Sequence, residues 1–322
     1  MLAEDPAVAA ALAIDGPMLT MPWWGITYDP SMWLAGFLRV TRDPEIDVAQ
    51  EARRFLRGVR VADGAISARG RTSIFGVAME EAVVLPFGLL RPAERREVPD
   101  AMSEWPPAAV FESDVEVPAV VAGTNYPWSP ERQEELIADL RDRIDESLGR
   151  MIVTLALTVG GPVQEYVTTL TPRYVESTVG RDPQPLGPVW ALRVPEDQHD
   201  VDVDRLRRAA TAVSRVSDCR RLAVAARRYF QAGAERTKPA DQIVDYAVAI
   251  EAITGQSHGR AQADALAALL GDGIRERFKD LKDARNSILH HGVIPANVTR
   301  IVGTSRMLVD HAITSAIRER QT

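Results

Sequence analysis

The stretch Ile274–Gly292, IRERFKDLKDARNSILHHG, decides how the second part of this chain is read. Ile274, Phe278, Leu281, Ile288 and Leu289 gather on one side of a 3.6-residue repeat, so the segment reads as one amphipathic helix closed by a glycine. Arg285 falls inside that apolar stripe. A guanidinium there must be paired or must face a cleft, because leaving a buried ion without its partner costs about 3–5 kcal/mol. Asn286 and His290, at i and i+4, share a face, whereas Arg285 and His290 are five apart and diverge by about 140°. One helix does not aim both at one phosphate. Two copies facing each other do, which points to a site borne by a homodimer.

Working outward, the chain from Asp200 onward reads as helix almost without interruption: Asp202–Val216, Asp218–Gln231, Pro239–Ile253, Gly259–Leu270, Ile274–His291 and Asn297–Arg320. Short connections of this kind are those of a helical bundle. The third segment, PADQIVDYAVAIEAITG, puts Ile243, Tyr246, Ala247, Ile250 and Ile253 on one stripe with Glu251 beside it.

Before Asp200 the texture differs. Between Val59 and Ala122 short apolar runs (GAISARG, TSIFGVAM, EAVVLPFGLL, DVEVPAVVAG) read as strands, with Gly64, Gly70, Pro86 and Pro118 marking turns or edges. Asp47–Gly58 reads as a short helix, and Trp23 and Trp24 as core anchors. Ser129 caps a second helix with Pro130 at its first position and Gly149 at its end. Ile152–Val159 and Val163–Leu170 then read as a hairpin about Gly160-Gly161-Pro162, which lacks the surroundings of a phosphate loop. Residues 173–200, rich in proline around a strand Val189–Val194, end in the domain boundary. The expected fold class is therefore α+β: a β-rich, mixed α/β domain over residues 1–199, suited to sensing or target recognition, and an all-α bundle over 200–322.

Composition narrows the function classes. With 46% hydrophobic and 26% charged residues the chain belongs with globular proteins and not with disordered ones. No apolar run is long enough for a membrane span, and the N-terminal apolar run follows Glu4 and Asp5 where a signal peptide carries positive charge. A cytoplasmic protein without membrane contact is expected. The single Cys219 excludes a disulfide framework and a cysteine-rich zinc site, and five scattered histidines show no HExxH spacing, so neither metal nor cofactor is expected. The net charge of −7 is unevenly spread. Residues 200–322 hold 20 Lys and Arg against 15 Asp and Glu (+5), and residues 1–199 hold 18 against 30 (−12). The second part is the one compatible with RNA.

Arg285-Asn286-x3-His290 resembles the R-x4-6-H signature of the HEPN family, helical domains that include metal-independent ribonucleases of toxin and phage-defence systems. In a chain with this many arginines the spacing recurs, and context sets the other cases aside. Arg193 and His199 flank Pro195 in a loop, and Arg306 borders the apolar stripe of the last helix with His311 on its polar side. The likeness widens through AARRYFQAG, DQIVDYAVAIEAITG and GRAQADALAALLG to FKDLKDARNSILHHG, which follow the order and spacing of the Apea-like HEPN group. Two departures stand out: Lys282 where an aromatic residue is usual, and His290-His291 where one histidine is.

The resemblance implies Arg285, Asn286 and His290 as catalytic residues, Glu251 and His291 as supporting ones, and RNA as substrate of an endoribonuclease acting through 2′-OH attack. It further implies a homodimer with a composite cleft, and a toxin-like subunit silenced by an antitoxin or regulatory partner stands beside it as an alternative. Elementary chemistry agrees: histidine, with an ordinary pKa near ~6.5, takes or gives a proton at neutral pH, and arginine holds a permanent charge against the phosphorane. Two other readings stay open. One is a non-catalytic scaffold binding RNA, nucleotide or protein. The other has Arg285 pair with Glu251 inside the bundle while His290 caps a helix end, where a cation is worth ~0.3–1 kcal/mol.

Overall fold

The computed structural model describes residues 18–20, 27–28, 37–38, 41–42, 46–59, 65–94, 109–118, 120–122, 129–172, 184–185, 197–234 and 238–320. Trp23, Trp24, Gly64, Arg193, Pro195 and the expected strand Val189–Val194 lie outside these residues. The fold is α+β, with an antiparallel sheet region before a run of helices. The described helices are α1 (Val48–Val59), α2 (Pro130–Thr158), α3 (Val203–Ser214), α4 (Arg220–Ala234), α5 (Pro239–Thr254), α6 (Gly259–Leu270), α7 (Arg275–His291) and α8 (Val298–Glu319). None is long and apolar enough to cross a membrane.

The chain forms two compact units. The first comprises residues 1–71, 112–145 and 167–188, the second residues 72–111, 146–166 and 189–322. This division differs from the boundary at Asp200 read from the sequence. The reason lies in where apolar surface is covered. Ile74, Val83, Leu85, Leu90, Phe111, Leu148, Met151 and Leu155 share one buried core with Leu206, Leu222, Phe230, Tyr246, Ile250 and Leu308, so the hairpin around Pro86 and the second half of α2 belong with the bundle.

In the first unit the strands Met18–Thr20, Thr27–Tyr28 and Val120–Ala122 make a small antiparallel sheet. Asp47 caps α1 by accepting from the backbone N–H groups of Ala49 (2.9 Å) and Gln50 (3.1 Å). Strand Ala65–Phe75 runs straight through Gly70, expected to mark a turn or an edge. A Cβ there would come within 3.1 Å of Ile144, so the glycine makes room for a helix side chain and does not bend the strand. Glu112, buried on the strand Ala109–Pro118, is held by Arg69 at 2.7 Å and Arg71 at 3.0 Å, which keeps its charge compensated.

In the second unit Val83–Leu85 pairs antiparallel with Gly88–Pro92 across the expected turn at Pro86, and His199–Asp200 pairs in parallel with Val77–Ala78. The largest departure from the sequence reading is α2. It does not stop at Gly149 but continues to Thr158, so Ile152–Thr158 is buried helix and not the first arm of a hairpin. Seven apolar-rich residues in a row fit a fully buried helix as well as a strand, and periodicity does not separate them. The loop Gly160–Pro162 therefore joins α2 to the strand Gln164–Pro172. A Cβ on Gly161 would overlap the His199 imidazole, and Arg306, lying 5.9 Å from the Tyr229 ring, donates from Nη2 to the Gly160 carbonyl at 2.7 Å.

The six helices expected after Asp200 are all present, with ends within three residues of the expected ones. Helix α5 is the axle: it packs on α4, α6, α7 and α8, burying Ile243, Tyr246, Ala249, Ile250 and Ile253. Its buried Asp245 is met by Arg228 of α4 at 3.1 Å.

Candidate functional site

Helix α7 is fixed about its own axis from two sides. At its start Arg275 pairs with Asp264 of α6 at 2.6 Å and with Asp272 at 3.3 Å, and further along Asp280 accepts from Arg300 of α8 at 3.1 Å. Between these polar fastenings Phe278, Leu281 and Ala284 are buried. The helix ends at Gly292, whose φ of 64° is left-handed backbone that favours glycine. Ser287 closes the turn: its carbonyl accepts from Val293 N–H and its hydroxyl donates to the Val293 carbonyl, at 3.1 and 3.0 Å. This local chemistry sets where the last turn, with His290 and His291, stops.

Arg285 and Leu289, both read as part of the apolar stripe, differ in burial. The buried line runs through Phe278, Leu281 and Ala284 to the partly buried Ile288, and Arg285, about 100° round from Ala284 and about 40° from Leu281, is half-buried between the directions of Phe278 and Leu281. Leu289, assigned to the apolar stripe, is 50% exposed. The exposure of Leu289 has a local cause. After Leu281 the stripe can continue at i+3 or i+4, and the small Ala284 takes the close contact that larger side chains would obstruct.

Among the described residues Arg285 makes no ion pair and no side-chain hydrogen bond, and neither does half-buried Glu251. The two do not pair, although α5 packs on α7. Asn286, half-buried, likewise has no side-chain partner there. His290 and His291 are exposed, with ring centroids 6.5 Å apart at 65°. Arg285 and Asn286 thus lie on one helix that places His290 a turn further on, and Glu251 stands on the neighbouring helix without joining them.

Sequence reasoning overlooked what surrounds the histidines. Leu289, Val293 and Ile294 are 50%, 56% and 59% exposed, an apolar patch that spans the end of α7. The signal was legible as apolar residues continuing past Gly292, where a helix end facing only water carries polar ones. No three His, Cys, Asp or Glu side chains among the described residues converge as metal ligands would. Comparison with protein-family models, with curated proteins and with solved structures returns no match for this chain.

Proposed function

We propose that the helical unit is a metal-independent endoribonuclease of the HEPN type, acting in the cytoplasm as a homodimer with RNA as its substrate. The observation that carries this reading is Arg285: a half-buried guanidinium with no carboxylate partner among the described residues, beside Asn286 and a turn before an exposed histidine. An unpaired cation on a packed helix is stabilised by an anion that binds there. The exposed Leu289, Val293 and Ile294 give a second copy an apolar surface next to the same residues, and a two-fold arrangement brings one copy's arginine towards the other's histidine.

In this reading His290 removes the 2′-OH proton as the oxygen attacks phosphorus. The P–O5′ bond breaks, and the leaving oxygen takes a proton from the histidine of the second copy. The products are a 2′,3′-cyclic phosphate and a 5′-OH, and Arg285 and Asn286 hold the phosphoryl oxygens while charge builds on them. Such an activity suits a toxin or phage-defence effector restrained by an antitoxin or regulatory partner, with the first unit sensing the trigger.

The test is cleavage of a labelled RNA in excess chelator. Cleavage with a cyclic-phosphate product supports the reading, and activity that chelator abolishes and Mg²⁺ restores overturns it. One observation favours a second reading: no described residue hydrogen-bonds His290 to orient its ring. A non-catalytic HEPN-like scaffold that binds RNA, nucleotide or a protein partner needs no such orientation, and it predicts RNA binding without cleavage.

A further inference from the structure

We infer that Lys282 is a second phosphate contact of this site, holding the RNA backbone one nucleotide away from the phosphate that Arg285 faces; the inference rests on the ribonuclease reading above. Lys282, Arg285 and Asn286 stand at i, i+3 and i+4 on α7 and so share one face, with neighbouring Cβ atoms about 5–6 Å apart. The contrast with the rest of the bundle is informative. Of the half-buried cationic side chains on the described helices from Val203 onward, Arg227 is paired with Glu165 at 2.7 Å and Arg228 with Asp245 at 3.1 Å. Lys282 and Arg285 have no carboxylate partner among the described residues. Two like charges one turn apart repel, and the fold elsewhere relieves such charges with an acid.

Lys282 also reaches a neighbouring helix. A Cβ on Gly259 would overlap its Nζ, Cε and Cδ atoms, so the ammonium lies across the start of α6 in a space that only glycine leaves open. The first turn of α6 has no acidic residue to neutralise it. Two cations one helical turn apart, neither with a carboxylate partner among the described residues, favour a backbone with regularly spaced charges over a single small anion. The chemistry recognised is consecutive phosphates, and no base identity is read.

The experiment uses the full-length His290→Ala protein, which binds without cleaving, and a short fluorescent single-stranded oligoribonucleotide followed by anisotropy over a range of KCl concentrations. Lys282→Met should lower the slope of log K against log salt by about 0.7, the loss of one single-strand phosphate contact. Lys282→Arg should keep the slope, with melting temperatures unchanged throughout. If the parent binds and Lys282→Met leaves its slope intact, this inference is overturned while the ribonuclease reading stands. If the parent does not bind RNA at all, both fall together.

Discussion

A Cβ built on Gly149 would lie 2.9 Å from the Cβ of Ala223, so α2 and α4 meet backbone to backbone at this pair. Elsewhere in a helix, replacing glycine by alanine stabilises by up to ~1 kcal/mol. Here the added methyl has no room. Gly149→Ala should instead destabilise the protein by about 1–3 kcal/mol as the helices are forced apart. Gly303→Ala on α8, where nothing lies within 4 Å, should show the ordinary gain. Urea unfolding of the two variants checks the opposite signs.

Arg285 and Arg228 should separate function from stability. Arg228→Ala removes a bond to buried Asp245 and, with half of that contact screened by solvent, should cost about 1–2 kcal/mol and several degrees of melting temperature. Arg285→Ala breaks no ion pair among the described residues and should leave melting unchanged while RNA cleavage is lost. Unfolding of Arg285→Ala would show a structural partner for the guanidinium and remove the ground for the proposed site.

His290→Ala should lower cleavage by about 10²–10⁴ without changing melting, because the ring is exposed and supports no core contact. His291→Ala should do much less. Equal effects of the two, measured as single-turnover rates, would show that neither ring has a distinct role in the chemistry.

The exposed apolar patch predicts a disruptable dimer. Ile294→Glu, at a position 59% exposed, costs nothing to the fold of one chain and should convert the protein to a monomer with cleavage abolished. Sedimentation at micromolar concentration reads the first effect and the RNA assay the second. A monomeric parent that cleaves RNA contradicts the composite cleft.

Alkaline pH should weaken the fold through Cys219. Burial pushes its thiol up to about 11, while in the unfolded chain it ionises near ~8.5. Between these values the unfolded state binds fewer protons than the native state. Stability is therefore full below roughly pH 8.5 and is lost as pH rises towards 11, by up to roughly 3 kcal/mol. Cys219→Ala should flatten that part of the stability profile, and denaturant midpoints at stepped pH measure it.

What could be read from residues alone follows from how locally each feature is specified. The helices after Asp200 were legible because caps, apolar period and closing glycines coincide within each segment, as at Asp202, Pro239 and Gly292. Gly149 and Gly70 were misread because their role depends on partners far along the chain, Ala223 and Ile144, and no local pattern names those partners. The candidate site divides in the same way. The order of Arg285, Asn286 and His290 is local and was visible. Their exposure, the lack of an Arg285–Glu251 pair among the described residues and the approach of Lys282 to Gly259 depend on how α5, α6 and α7 pack.

The overlap that any side chain at position 161 would make with His199 has an evolutionary consequence. The imidazole, whose Nε2 is buried without a hydrogen-bond partner among the described residues, occupies the volume that the glycine leaves vacant. In diverging copies of this chain the two positions are then not free to drift separately. A residue larger than glycine at 161 becomes permissible only after 199 has shrunk, so the order of substitutions is constrained, and a lineage that loses the histidine first gains access to sequences closed to its siblings.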